Sequence, residues 1–154
     1  MPNQKEKVSI IVNCYNGEEF LDEALRSIKN QTYQNFEIIF FDNCSTDRSA
    51  EIARKYEPKL KYFKSDTNIS LGEARKKAMA YANGDWIAIL DVDDYWFDDL
   101  LEISLNSLIS SEYVMSYAGI KEIDVEGNYL REMIPVHKSG FQLEEQLSFF
   151  EINM

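Results

Sequence analysis

Apolar residues along this chain keep two rhythms in turn. Short runs at 8–12, 36–41, 60–63 and 86–90 are rich in β-branched and aromatic residues and each stops at a polar cluster, as strands do where they leave a sheet. The run at 36–41 is nearly continuous in apolar residues, which predicts a strand buried on both faces, and the apolar run at 86–90 also reads as a buried strand. Between the runs the spacing becomes helical. Leu21, Ala24, Leu25 and Ile28 recur at i, i+3, i+4 and i+7, with Glu23, Arg26 and Lys29 between them, so one face of this helix is buried. Ser45, Thr46 and Asp47 offer N-cap oxygens for a second helix reaching about Tyr56. An Ala-rich helix is expected over 71–82, stopped at Asn83-Gly84. Strands and helices alternating at this interval specify an α/β fold, a doubly wound and mostly parallel sheet with right-handed crossovers.

After the fourth strand the pattern changes. Leu101, Leu105 and Leu108 mark a helix, and 113–120 and 129–134 read as strands flanking a Glu126-Gly127-Asn128 turn, a small antiparallel addition near the C-terminus. A last amphipathic stretch, 143–150, leaves Leu147, Phe149 and Phe150 uncovered near the chain end, an apolar group suited to forming a homo-oligomer.

With 154 residues and 45% hydrophobic content the chain suits one domain with an ordinary core. Its 16 basic residues stand against 27 acidic ones, a net charge of −11, which argues against nucleic acid or an anionic membrane surface as a general partner. Two cysteines, Cys14 and Cys44, are too few for a disulfide framework; reduced thiols in a reducing cytoplasm are expected. No stretch approaches the ~20 apolar residues of a membrane span, and the first residues lack a signal-peptide core.

The candidate chemistry sits in Leu90-Asp91-Val92-Asp93-Asp94, directly after the fourth run. Carboxylates at the lip of a strand suit Mg²⁺ or Mn²⁺, and ligands of open α/β sheets bind at the carboxyl ends of strands. Taken alone, the triplet is also what a solvated acidic turn before a helix looks like. His137, the single histidine, stands beside Lys138 in a polar loop and reads as a solvated turn residue rather than a ligand.

Strand one ends in Asn-Cys-Tyr-Asn-Gly, strand two in Asp-Asn-Cys-Ser-Thr-Asp and strand four in Leu-Asp-Val-Asp-Asp, and Gly72-Glu73-Ala74-Arg75 lies between the last two. With these motifs in this order, the sequence resembles family-two glycosyltransferases of the glycosyltransferase-A fold over almost its whole length. The resemblance implies transfer of a sugar from a UDP-, GDP- or dTDP-sugar to an acceptor hydroxyl, with Mn²⁺ or Mg²⁺ as cofactor and inversion at the anomeric carbon. It implies Asp93 as direct metal ligand, and Asp91 on the ribose hydroxyls or on the metal through water. Asp94 would be a supporting or helix-capping group. Asn13 and Tyr15 would face the nucleobase, by hydrogen bonding and by stacking, and Arg75 the base or diphosphate. Asn68 and Gly72 resemble parts of the same loop. Asn43 stands where many members carry an Asp that accepts the imide proton of uracil. This departure leaves the base open.

The resemblance further implies one glycosyltransferase-A-like domain over 1–154, with a nucleotide-sugar-binding core at 8–110 and an incomplete acceptor-side portion at 111–154. It runs out before the helix that presents the general base in this family, so the base is not identifiable, and Glu144 and Glu145 read as solvated helix-start charges. A role in surface polysaccharide or glycolipid synthesis is expected on the same ground, in the cytoplasm, with peripheral contact at the inner face of the membrane as the alternative placement. Two readings of other classes stand beside it: a non-catalytic nucleotide-sugar-binding or partner-binding module, and a haloacid-dehalogenase-type phosphatase with Asp91 as nucleophile.

Overall fold

The computed structural model describes residues 6–124 and 126–133. These belong to two compact units, Met1–Ile103 and Ser104–Met154. The first is built on a parallel sheet of four strands, β1 (Val8–Cys14), β2 (Phe36–Asp42), β3 (Leu60–Lys64) and β4 (Trp86–Asp91), in the order β3-β2-β1-β4. Helices α1 (Leu21–Lys29), α2 (Ser49–Arg54) and α3 (Leu71–Met79) make the crossovers. Chain direction along the sheet reverses once. From β1 to β3 each crossover steps one strand outward, whereas α3 returns the chain past β1 to β4, so right-handed connections put α3 on the face opposite α1 and α2.

Side-chain alternation divides the core accordingly. On the α3 face Ile11, Ile39 and Phe41 are buried with Ala74 and Ala78 of the helix, and the small alanines let α3 lie close to the sheet. Ile10, Val12, Ile38, Phe40 and Leu90 fill the other face, under α1, whose Leu21, Ala24, Leu25 and Ile28 are all buried as their spacing predicts.

Strand β2 is buried at every position, but β4 is not. The expectation of a buried strand fails there. Ile87 and Ile89 are 48% and 41% exposed, because β4 is the edge strand next to β1 and α3 lies over β1 and β2. Both isoleucines share the α3 face, as their register partners Ser9 and Ile11 do.

At the amino ends of the strands, a polar cluster ties the end of α3 to the sheet. Buried Glu37 accepts hydrogen bonds from Ser9 Oγ (2.8 Å), Lys61 Nζ (2.7 Å) and the Asn83 amide (2.9 Å), and pairs with Lys7 Nζ at 2.9 Å. Burial pushes its pKa up, but Lys61, Lys7, Ser9 and the Asn83 N–H outweigh that and hold it at about 2. Gly84 is required here. A Cβ at this position would stand 2.6 Å from Ser9 N and 2.7 Å from Lys7 O, a clash with backbone that no rotamer relieves.

Two element boundaries differ from the sequence reading. Helix α2 spans Ser49–Arg54 and stops short of the expected Tyr56; of the expected caps, Asp47 accepts from Ser49 N through Oδ1 (3.0 Å), while its Oδ2 and Ser45 Oγ serve the preceding loop. Helix α3 ends at Met79, and single turns carry the chain to Ala82.

Helix α4 (Leu100–Ile109) buries Leu101, Leu105 and Leu108, as predicted. In the second unit β5 (Ile120–Ile123) pairs antiparallel with β6 (Tyr129–Met133). The expected strand over 113–120 is replaced by this later one. Asp124 Oδ1 accepts from the amides of Glu126 (3.0 Å) and Asn128 (2.8 Å), and Gly127 takes φ +82°. That turn fixes which residues pair, whereas residues 113–119 have β-prone side chains but no ladder. The expected turn at 126–128 is therefore present. Ile134, His137, Glu144, Glu145 and the apolar stretch 143–150 lie outside the described residues.

Candidate functional site

Parallel pairing brings the carboxyl ends of β1, β2 and β4 to one rim, where Asn13 lies between Phe41 and Asp91 and Cys14 opposite Asp42. Asn13 is 8% exposed, and neither its amide nitrogen nor its amide oxygen has a partner. A buried polar group left without a partner costs about 1–3 kcal/mol, so an unpaired donor and acceptor at a strand end mark Asn13 as a candidate for pairing with a ligand. Tyr15, two residues on, is 52% exposed and presents its ring at the same rim.

The loops after β1 and β2 are sewn together. The amides of Asn16, Gly17 and Glu18 donate to Ser45 Oγ (3.0 Å), Ser49 Oγ (3.0 Å) and Asp47 Oδ2 (2.9 Å). In return the Thr46 amide donates to Asn16 Oδ1 and the Arg48 amide to Glu18 Oε2, each at 2.9 Å. Asn16 and Cys44 take positive φ, 51° and 70°, a strained backbone that this stitching sustains. The pairing of these two loops escaped the sequence reading. The Ser-Thr-Asp run was the available signal, and it was read for its helix-capping oxygens alone.

Behind the rim, buried Asp42 accepts from Tyr62 Oη and from the Ser45 amide (2.6 Å). Burial and the hydrogen bond to Asp42 push the Tyr62 phenol well above its usual range. Both cysteines are free thiols, Cys14 buried and Cys44 partly exposed, and burial raises the Cys14 pKa.

Helix α3 delivers Arg75 to Asp91, whose Oδ1 accepts from Nη2, while Arg75 Nε is buried without a partner. Asp93 and Asp94 stand exposed just beyond. Partial burial, then the charges of Asp93 and Asp91, raise the pKa of Asp94; this is a local negative field that a cation would relieve. No cluster of three or more metal-binding side chains converges among the described residues. Carboxylate oxygens suit a hard cation, and with Asp91 held by Arg75 the chain offers one or two arms. That fits Mg²⁺ or Mn²⁺, which take few protein ligands and complete their shell with phosphate oxygens and water.

Unlike Asn13, Asn43 has its amide paired within the protein. It is 7% exposed, its Nδ2 donates to Ile69 O (2.7 Å) and Asn68 Oδ1 (2.9 Å), and its Oδ1 accepts from Ile69 N (3.0 Å). The loop so held ends at Ser70, whose Oγ caps α3 by accepting from Glu73 N. A Cβ at Gly72 would meet nothing within 4 Å, so no packing contact requires that glycine.

The segment after the acidic triplet is anchored on α1 and its C-terminal turn. Trp96 N donates to Ser27 Oγ (3.1 Å), Gln31 Nε2 to Phe97 O (2.7 Å) and Leu101 N to Gln31 Oε1 (3.0 Å). Tyr95 remains 44% exposed, edge-on to Phe97 at 6.4 Å.

The chain matches the family model for glycosyl transferase family 2 over residues 9–153, and it belongs to that family. An uncharacterized glycosyltransferase of Haemophilus influenzae is 37% identical over 127 residues, 80% of this chain and 51% of that protein. Among solved structures, S. aureus TarS 1-349 in complex with UDP-GlcNAc aligns at 34% identity and TM-score 0.64, over 68% of this chain and 31% of that one. The mannosyltransferase PcManGT from Pyrobaculum calidifontis, in complex with GDP-Man and Mn²⁺, aligns at 26% identity and TM-score 0.56, over 62% and 30%. The fold is therefore glycosyltransferase-A, as the motifs implied, and the chain spans about half the length of the curated relative. Among the described residues no helix is long and apolar enough to cross a membrane.

Proposed function

We propose that this chain binds a nucleoside-diphosphate sugar and serves a metal-dependent, inverting glycosyl transfer to an acceptor hydroxyl. The observation that carries the reading is the empty, buried amide of Asn13 beside the Arg75–Asp91 pair. Asn13 supplies a donor and an acceptor to the edge of the base, and the exposed ring of Tyr15 stacks on its face. Asp91, fixed by Arg75, accepts from the ribose hydroxyls. Arg75 brings positive charge to the rim of a chain whose net charge is −11, and its planar fork suits a diphosphate. A Mg²⁺ or Mn²⁺ held by Asp93, and by Asp91 through water, would neutralise the charge that builds on the departing β-phosphate.

The relatives support the class of donor without fixing it. TarS is solved with UDP and with UDP-GlcNAc, and PcManGT with GDP-Man. Calorimetry with UDP-, GDP- and dTDP-sugars, with and without Mn²⁺, tests the reading. We expect binding of at least one donor, tighter with Mn²⁺, and loss of the Mn²⁺ dependence in Asp93→Asn. Absence of heat with every donor and metal would remove the proposal.

A further inference from the structure

We infer that Asn43 does not read the nucleobase but positions the nucleotide site, by locking residues 68–70 and through them the start of α3 and Arg75. This rests on the donor-binding reading above. The geometry is specific to an amide. Oδ1 accepts from Ile69 N at 3.0 Å while Nδ2 donates to Ile69 O at 2.7 Å, so one side chain pairs both ways with a single residue's backbone, as a neighbouring strand would. The remaining Nδ2 hydrogen goes to Asn68 Oδ1 at 2.9 Å. Both donors and one oxygen lone pair are thus committed, in a side chain 7% exposed.

An aspartate could not do this. Asn68 could rotate its own amide to face a carboxylate, but Ile69 O is a backbone acceptor that cannot turn into a donor. Two acceptors would face each other across 2.7 Å, and the loop would have to move. Neighbouring contacts hold the same loop: Ser65 N donates to Asp42 O (2.9 Å) and Cys44 Sγ to Asp66 O (3.5 Å). The Asn43 pair is the contact nearest the cap at Ser70, one turn ahead of Arg75. In this chain, therefore, base preference is set elsewhere on the rim, where the buried amide of Asn13 has neither group paired.

Calorimetry of the full chain with UDP, GDP and dTDP, each with Mn²⁺, separates the alternatives. For Asn43→Asp we expect all the nucleotides that bind wild type to weaken by the same factor, about tenfold, the size of one lost buried hydrogen bond, with their ratios unchanged. A changed ratio, in particular a gain for UDP over GDP, would make Asn43 a base reader and overturn the inference. So would unchanged affinity for every nucleotide, even with a lowered melting temperature. Should Asn43→Asp fail to fold, Asn68→Ala removes one acceptor of the Asn43 amide from the far side of the loop. A smaller, base-independent loss supports the lock, and unaltered binding or an altered ratio counts against it. Wild-type protein that binds none of the nucleotides defeats the donor reading itself, and this inference with it.

Discussion

Strands β2 and β4 read alike in sequence, apolar runs that each end at an aspartate, and they flank β1 on either side. Their surroundings differ. Ile39 and Ile89 both face α3 and both pair with Ile11, yet Ile39 is wholly buried and Ile89 is 41% exposed. An apolar run records that both faces of a strand are to be covered; it does not say by what. On β2 the cover is α2 on one face and α3 on the other. On β4 the described residues cover one face only, and the strand is held at its two ends, by the polar cluster at Gly84 and by Arg75 on Asp91.

The largest expected effect lies on the buried side. Ile39→Ala should cost about 2–5 kcal/mol in urea unfolding, since it leaves a cavity that the packed alanines of α3 cannot fill. Next is the entry to β4. Gly84→Ala forces its methyl against Ser9 N and Lys7 O, and about 1–3 kcal/mol is expected.

Acid should then act on β2 through Glu37. Its folded pKa of about 2 lies below the ordinary 4.5, so its contribution is complete above the unfolded value and is lost as pH falls through the folded one. Unfolding followed from pH 5 to pH 2 should therefore steepen in wild type relative to Glu37→Gln, in which that step is absent. Ile89→Ala should cost least, below about 1 kcal/mol for a side chain left near half exposed. A cost equal to that of Ile39→Ala would mean that the open face of β4 is covered in the assembled protein.

Much of this was legible beforehand because burial leaves a periodic trace. The i, i+4 face of α1, the continuous run of β2 and the leucines of α4 are dictated by what each must bury. The place of the acidic triplet and of the Asn-Cys-Tyr-Asn-Gly stretch at the carboxyl ends of parallel strands was legible too. What escaped was decided by partners distant in sequence. Ser45 looks like a helix cap until Asn16 claims its hydroxyl, and Asp47 caps Ser49 N with one oxygen while the other takes the Glu18 amide. The hydrogen bonds of Asn43 to Ile69, 26 residues on, leave no trace in the sequence, and β5 is placed by the Asp124 turn rather than by β-branched side chains.

The stitched loops after β1 and β2 also limit how this rim can be altered. With donors and acceptors alternating across the seam, a segment grafted into one loop alone arrives without its counterparts and leaves orphaned amides on both sides. Residues 16–18 and 45–48 can therefore be exchanged only as a matched pair.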